Sequence, residues 1–204
     1  QAWQLSAFQE FKSSGLKHFY DVIWRVYHAL MSVGSALVIT LSPFIARVLM
    51  QRQFYSAWPL ISILVLAFYL SAINNFLGTI YQAYTRTKPL LVATVVGAVA
   101  CLAFTAVLVH DWGISAAAFG VFVGSLVIFV VRVIDVRRLM SINMRPIPTA
   151  ITMTLLTVQS LVTSNQCNHC LFWSSICLLL IAFVQCYELK PLITLIFTRR
   201  KYTA

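Results

Sequence analysis

The stretch that decides the fold is PLLVATVVGAVACLAFTAVLVHDWGISAAAFGVFVGSLVIFVV, residues 89–131. It contains one acidic residue, Asp111, and neither lysine nor arginine. An apolar run of about twenty residues lies on each side of Asp111, and a helix of that length crosses the bilayer core of about 30 Å. The stretch therefore predicts two membrane-spanning helices joined by a short turn at HDWG, residues 110–113.

The composition of the whole chain agrees with a membrane protein. Of its 204 residues, 60% are hydrophobic and 10% are charged, whereas about 25% of the residues of soluble domains are charged. The net charge of +10 at pH 7 is also typical of nucleic-acid binding, but basic residues gather at the cytoplasmic ends of membrane helices and account for it. We therefore expect an all-α integral membrane protein in contact with membrane lipids, with no nucleic-acid partner.

The uncharged runs predict about six transmembrane helices. Four of them lie within residues 26–131, after an amphipathic cytoplasmic connector over residues 1–25. Two more lie within residues 147–187, between a basic cytoplasmic loop over 132–146 and a basic cytoplasmic tail over 188–204. The predicted spans are Val26–Ala46, Trp58–Gln82, Pro89–Val109, Ile114–Val131, Ile147–Thr163 and Cys170–Tyr187.

The basic residues orient these spans. When the N-terminal segment is placed in the cytoplasm, all of the 15 Lys and Arg residues except Arg47 and Arg52 fall in cytoplasmic segments. Membrane proteins carry this excess of positive charge on the inner side. Both ends of the chain are therefore predicted to be cytoplasmic, and HDWG to be an outer turn.

Small residues follow this outer turn. Gly113 allows a tight reversal, and Ala116, Gly120 and Gly124 recur at every fourth position, so they share one helical face. Small residues with this spacing let two helix backbones approach closely. The pattern predicts helix packing within the protein, and homodimerisation through the same face is the alternative.

Polar and basic groups near the ends of the spans are the candidate substrate-pathway residues. Asn75, Gln82 and Arg86 follow a helical spacing and form a polar stripe, which either lines a hydrated cavity or makes hydrogen bonds between helices. Arg47 and Arg52, the two exceptions to the charge bias, are either anion contacts or ordinary surface charges. The full candidate set is Arg47, Arg52, Asn74, Asn75, Gln82, Arg86 and Lys88.

The sequence offers no catalytic constellation. No Asp or Glu lies in the middle of a predicted span, which argues against a carboxylate proton relay and against an embedded hydrolase or glycosyltransferase. Cys167 and Cys170 with the intervening His169 supply at most three metal ligands, and a structural zinc site needs four. We therefore expect no enzyme activity, no metal and no cofactor.

Three motifs stand out along residues 1–140: an aromatic turn Phe-Tyr-Ser-Ala at Phe54–Ala57, a basic turn at Arg86–Lys88 and an aromatic-Gly-x-x-Ala-Ala turn at Trp112–Ala117. With these motifs, residues 1–140 resemble the C-terminal half of bacterial polysaccharide exporters, the O-antigen and lipid-linked oligosaccharide flippases of the multidrug/oligosaccharidyl-lipid/polysaccharide exporter superfamily. One departure is the pair Arg52–Gln53, which stands where the family often has a glycine. The family's cationic cavity residues lie largely in helices outside this chain, so the resemblance assigns no substrate contact.

The resemblance implies the C-terminal part of a two-bundle transporter in the bacterial inner membrane. Its implied substrate is an undecaprenyl-diphosphate-linked oligosaccharide (an O-antigen, capsule or exopolysaccharide unit), and other polysaccharide-assembly proteins are implied partners. The alternatives are a drug or metabolite antiporter of the same superfamily, a membrane enzyme of polysaccharide assembly, and an assembly subunit that transports nothing.

Overall fold

The chain folds into long α-helices. The computed structural model describes residues 16–49, 58–84, 86–139, 146–164 and 170–202, and within those ranges six helices and no strand occur. Each helix contains a segment long and apolar enough to cross a bilayer, so the prediction of an all-α membrane protein with about six spans is confirmed. The helices are α1 (Leu16–Leu49), α2 (Trp58–Ala83), α3 (Thr87–Trp112), α4 (Ile114–Leu139), α5 (Pro146–Ser164) and α6 (Cys170–Tyr202).

All six helices are longer than the predicted spans, and three of them exceed the prediction by eight residues or more. Helix α1 begins within the predicted connector, α4 continues through the first half of the predicted basic loop at 132–146, and α6 continues through most of the predicted tail at 188–204. The reason is that charge ends a hydrophobic run without ending a helix, since Arg, Lys and Glu are good helix formers. The predicted boundaries mark where apolar composition stops, and the helices end later.

The first turns of α1 also differ from the amphipathic cytoplasmic connector predicted for residues 1–25. Tyr20 and Trp24 are buried, and their rings lie 6.1 Å and 5.2 Å from the ring of Phe76 in α2, measured between centroids. Aromatic side chains gain more from such packing than from a half-wet interface. No turn separates this segment from the span that follows, because α1 is continuous from Leu16 to Leu49.

Helix α2 is at the centre of the arrangement and is the most buried of the six spans. It packs against α1, α4 and α5, and to a smaller extent against α3. Helices α1, α5 and α6 also pack against one another, so with α2 they form a four-helix bundle. Helices α3 and α4 form a hairpin that joins this bundle through α4.

Glycines set the geometry of the α3–α4 hairpin. Gly113 has φ +52°, a conformation that L side chains rarely adopt, and its N–H donates to the Val109 carbonyl at 2.9 Å. A Cβ added to Gly124 would lie 2.8 Å from the Gly97 oxygen, and one added to Gly97 would lie 2.8 Å from the Gly124 oxygen. The backbones of α3 and α4 therefore touch at this point.

The other small residues of α4 continue this contact. A Cβ on Gly120 would meet the Thr105 hydroxyl oxygen of α3 at 2.1 Å, and Ala116 is fully buried. The face marked by Ala116, Gly120 and Gly124 is thus occupied by a helix of the same chain, as the packing interpretation of the sequence expects.

Candidate functional site

The candidate residues on α2 lie on two different faces of the helix. Asn75 and Gln82 are exposed, and with Phe68 they are spaced by seven residues, which places them on one side of the helix. Arg86 and Lys88, in the turn after α2 and at the start of α3, are exposed as well. We call Phe68, Asn75, Gln82, Arg86 and Lys88 the outer strip.

Asn74 lies on a different face of α2. Its side chain is 4% exposed, and its amide nitrogen donates to the Ser125 carbonyl of α4 at 2.9 Å. For this residue the structure supports inter-helix hydrogen bonding, which was the alternative to a cavity-lining role. Two adjacent asparagines therefore have different surroundings, Asn74 between helices and Asn75 on the outer surface.

The two candidates outside the stripe lie elsewhere. Arg47 is exposed in the last turn of α1. Because α1 and α2 are consecutive spans, the last turn of α1 lies at the end of the bundle opposite to Arg86. The structure therefore does not bring Arg47 together with the outer strip. Arg52 and the aromatic turn at Phe54–Ala57 lie outside the described residues.

Arg132 is a buried cation of α4, although the charge pattern of the sequence predicts a cytoplasmic loop from residue 132 onward. Its side chain is 7% exposed, and its guanidinium donates to the Asn74 carbonyl of α2 at 2.5 Å and to the Thr94 hydroxyl of α3 at 3.0 Å. At about 1.5 Å per residue, Arg132 lies roughly 10 Å before the end of α4. The sequence does contain a signal for this burial. Arg132 follows Ser125 by seven residues, so both polar residues lie on the face of α4 that contacts α2.

A second polar cluster surrounds His28 in the four-helix bundle. The Nε2 atom of His28 lies 3.0 Å from the Tyr69 hydroxyl of α2, and its Nδ1 atom lies 3.3 Å from the amide nitrogen of Gln185 in α6. The same amide nitrogen donates to the Thr152 hydroxyl of α5 at 3.0 Å. One imidazole and one amide thus connect four helices.

A third cluster lies around Gln159 of α5, which is fully buried. Its amide nitrogen is 2.9 Å from both the Ala36 carbonyl and the Thr40 hydroxyl of α1. It is also 3.1 Å from the Ser174 hydroxyl of α6. These polar side chains join α5 to its neighbours α1 and α6.

An open groove lies between α1 and α2 beside the outer strip. It has a volume of about 340 Å³, and Phe68 and Ala72 belong to its α2 wall while Gly34 and Ser35 belong to its α1 wall. The lining is mostly apolar, so the groove suits a hydrocarbon chain or an apolar helix better than a sugar.

Metal-binding groups can be considered only for part of the chain. Among the described residues, no group of three or more His, Cys, Asp or Glu side chains could hold a metal ion. The Cys167–Cys170 motif falls largely outside those residues, since 165–169 are not described.

Comparison with known proteins gives no match: no family model, no curated protein and no solved structure is significantly similar to this chain. The residues themselves, with the motifs at Arg86–Lys88 and Trp112–Ala117, are therefore the basis for a proposal of function.

Proposed function

We propose that this chain is part of a transporter that flips an undecaprenyl-diphosphate-linked oligosaccharide across the bacterial inner membrane. The observation that carries the proposal is the outer strip: the most buried helix of the chain exposes Asn75 and Gln82 on its one open side. The strip continues into two cations, Arg86 and Lys88, in the adjoining turn.

Exposed amides on a spanning helix need a polar surrounding. Moving an amide from water into hydrocarbon without a hydrogen bond costs several kcal/mol, about 4–8 on a cyclohexane scale. Asn75 lies about 12 Å before the end of α2, at roughly 1.5 Å per residue, which is too deep for a short side chain to reach the head groups. We infer that this side of α2 faces a hydrated cavity or a second bundle, as it does in a two-bundle transporter.

The charge of the strip favours an anionic cargo. The charged members of the strip are both cations, and a lipid-linked diphosphate is an anion that Arg and Lys bind well. A cationic drug would need acidic or aromatic partners at the same place. This favours the flippase over the antiporter of the same superfamily.

The same charges support the orientation that goes with this proposal. Arg86 and Lys88 lie between α2 and α3, and the exposed Arg137 and Arg138 lie in the last turn of α4. Because α3 and α4 form a hairpin, these four cations are at one side of the membrane, which the positive-inside bias assigns to the cytoplasm. Both ends of this chain are then cytoplasmic.

The adjacent asparagines provide a matched test. Asn75→Leu, Gln82→Leu and Arg86→Ala are introduced into the intact transporter, which is expressed in a flippase-deficient strain, and surface polysaccharide and membrane abundance are measured together. We expect all three variants to be abundant and defective in transport, since leucine in a span favours insertion. Asn74→Leu is expected to lower abundance, because the Ser125 carbonyl loses its donor.

Normal surface polysaccharide in the Asn75, Gln82 and Arg86 variants would contradict a role of the outer strip in transport. A loss of abundance in the Asn75 variant equal to that of Asn74→Leu would show that Asn75 has a structural role instead.

A further inference from the structure

His28 is held by one hydrogen-bonding neighbour at each ring nitrogen. Its side chain is 5% exposed, with Tyr69 Oη at 3.0 Å from Nε2 and Gln185 Nε2 at 3.3 Å from Nδ1. The Trp24 ring lies beside the imidazole, with 5.5 Å between ring centroids. An ionisable side chain inside a membrane bundle is costly to keep and is therefore a default candidate for function.

The network assigns the proton of the neutral ring. An amide nitrogen only donates, so Gln185 Nε2 requires Nδ1 of His28 to be the acceptor. The ring proton is then on Nε2, where it is donated to the Tyr69 oxygen. The other N–H of the Gln185 amide goes to Thr152, whose own hydroxyl donates to the Pro148 carbonyl at 2.8 Å.

A second proton on His28 is incompatible with this arrangement. The imidazolium ring has two N–H donors, and an N–H at Nδ1 would point at the donor nitrogen of Gln185. Turning the Gln185 amide by half a turn presents its oxygen to Nδ1 and also places that oxygen beside Thr152. The Thr152 hydroxyl can then donate to it instead of to Pro148.

We propose that His28 is a proton-binding site, and that proton uptake turns the Gln185 amide and redirects the Thr152 hydroxyl. These side chains belong to α1, α6 and α5, so one proton changes the hydrogen bonds among three helices. The proposal is independent of the outer strip and of the cargo, because none of its residues belongs to that strip.

A crevice leads to the imidazole. It is lined by Arg25, Pro148, Thr149 and Glu188 together with His28, and its volume of about 10 Å³ is close to that needed for one water molecule. His28 lies about 12 Å from the start of the span at Tyr20, at roughly 1.5 Å per residue. The crevice therefore has room for one water molecule beside the imidazole, next to Arg25 and Glu188.

Charged and titratable groups face His28 from three of the four packed helices. Glu188 of α6 and Arg25 of α1 both line the crevice at His28, so one anionic and one cationic side chain lie beside it. Tyr69 of α2 accepts a hydrogen bond in either protonation state. Helix α5 contributes the hydroxyls of Thr149 and Thr152, which carry no charge.

The test is a nitrogen-15 and carbon-13 NMR titration of the full chain in lipid nanodiscs, with labelled histidine, glutamine and threonine. The His28 signals are assigned by their loss in His28→Gln. We expect the ring to become protonated as the pH is lowered while the protein remains folded, and the Gln185 amide and Thr152 methyl signals to change with the same midpoint. Thr154, which donates to Ala150 within its own helix, is the matched internal control and should not change.

The variant Gln185→Glu tests whether the side chain beside Nδ1 changes the proton affinity of His28 in the expected direction. Gln185→Glu places a carboxylate beside Nδ1, and an opposite charge at that distance raises proton affinity by about tenfold or more. The midpoint for His28 should therefore move to higher pH in this variant. The proposal is overturned if His28 stays neutral in the folded protein, if it titrates without the Gln185 and Thr152 signals, or if folded Gln185→Glu leaves the midpoint unchanged.

Discussion

The contact between α3 and α4 can be tested by adding one methyl group. In Gly124→Ala the new Cβ would lie 2.8 Å from the Gly97 oxygen and 2.8 Å from the Cβ of Cys101. Cβ atoms essentially never approach other heavy atoms this closely, and neither neighbour can rotate away because one is backbone and the other is the first side-chain carbon. The helices must separate, which loses contacts along the hairpin.

Gly34→Ala is the matched control. Gly34 lies in the interior of α1, and a Cβ added there has nothing within 4 Å. Both variants replace glycine by alanine inside a helix, so the gain in helix propensity, about 1 kcal/mol at most, cancels in the comparison. The difference between them is the cost of overpacking, for which about 1–3 kcal/mol is typical.

The assay is reversible unfolding of the purified chain in mixed micelles, titrated with a denaturing detergent and followed by circular dichroism. We expect the free energy of unfolding of Gly124→Ala to be lower than that of Gly34→Ala by about 1–3 kcal/mol. Equal free energies for the two variants would refute the inference that the backbones of α3 and α4 touch.

Three further predictions concern the polar clusters and the topology. Arg132→Lys keeps the charge but cannot reach both the Asn74 carbonyl and the Thr94 hydroxyl, so in the same assay it should cost about 1–3 kcal/mol, while the exposed Arg138→Lys should cost little. Gln159→Leu removes a donor shared by α1 and α6 and should cost about 1–2 kcal/mol; no loss would mean that apolar packing alone joins these helices. In a cysteine-free background, Asp111→Cys should react with an impermeant thiol reagent in intact cells and Arg137→Cys only after permeabilisation, and the reverse pattern would overturn the orientation.

The six spans could be predicted from the sequence because the bilayer imposes a length. An apolar run of about twenty residues is required to cross it, and that requirement is visible without any tertiary information. The bilayer does not determine where a helix ends beyond the span. Residues 132–139 are half charged and still helical in α4, because a helix continues for as long as its backbone hydrogen bonds are satisfied.

The candidate site was predictable only in part. A helical spacing identified the polar stripe, but Asn74 and Asn75 differ by about 100° around the helix axis, and only the neighbouring helices decide which of them is buried. Phe122 illustrates the same difficulty: the sequence places it on a face away from Gly120 and Gly124, and in the structure it packs against the buried core. A substitution there would disturb the packing of the core.

The buried clusters were missed for a related reason. The partners of His28 and Gln159 are far away in the sequence, with Tyr69 at a separation of 41 residues and Ala36 at a separation of 123. A single His or Gln in an apolar run has the same appearance whether it faces lipid, a cavity or another helix. Local pattern therefore indicates that a polar residue is present, and only the packing indicates what it does.

The positions of these clusters indicate which motions would be costly in a transporter built from this chain. The clusters at Arg132, His28 and Gln159 each connect at least three helices through hydrogen bonds, and breaking such bonds inside a bilayer is costly because little water is available to replace them. Motions that separate these helices would break several bonds at once. Motion of a second bundle across the outer strip would break none of them, so rocking at Asn75 and Gln82 is the less costly movement. Of these three clusters, the one at His28 is the cluster that we propose a proton, and not a mechanical force, rearranges.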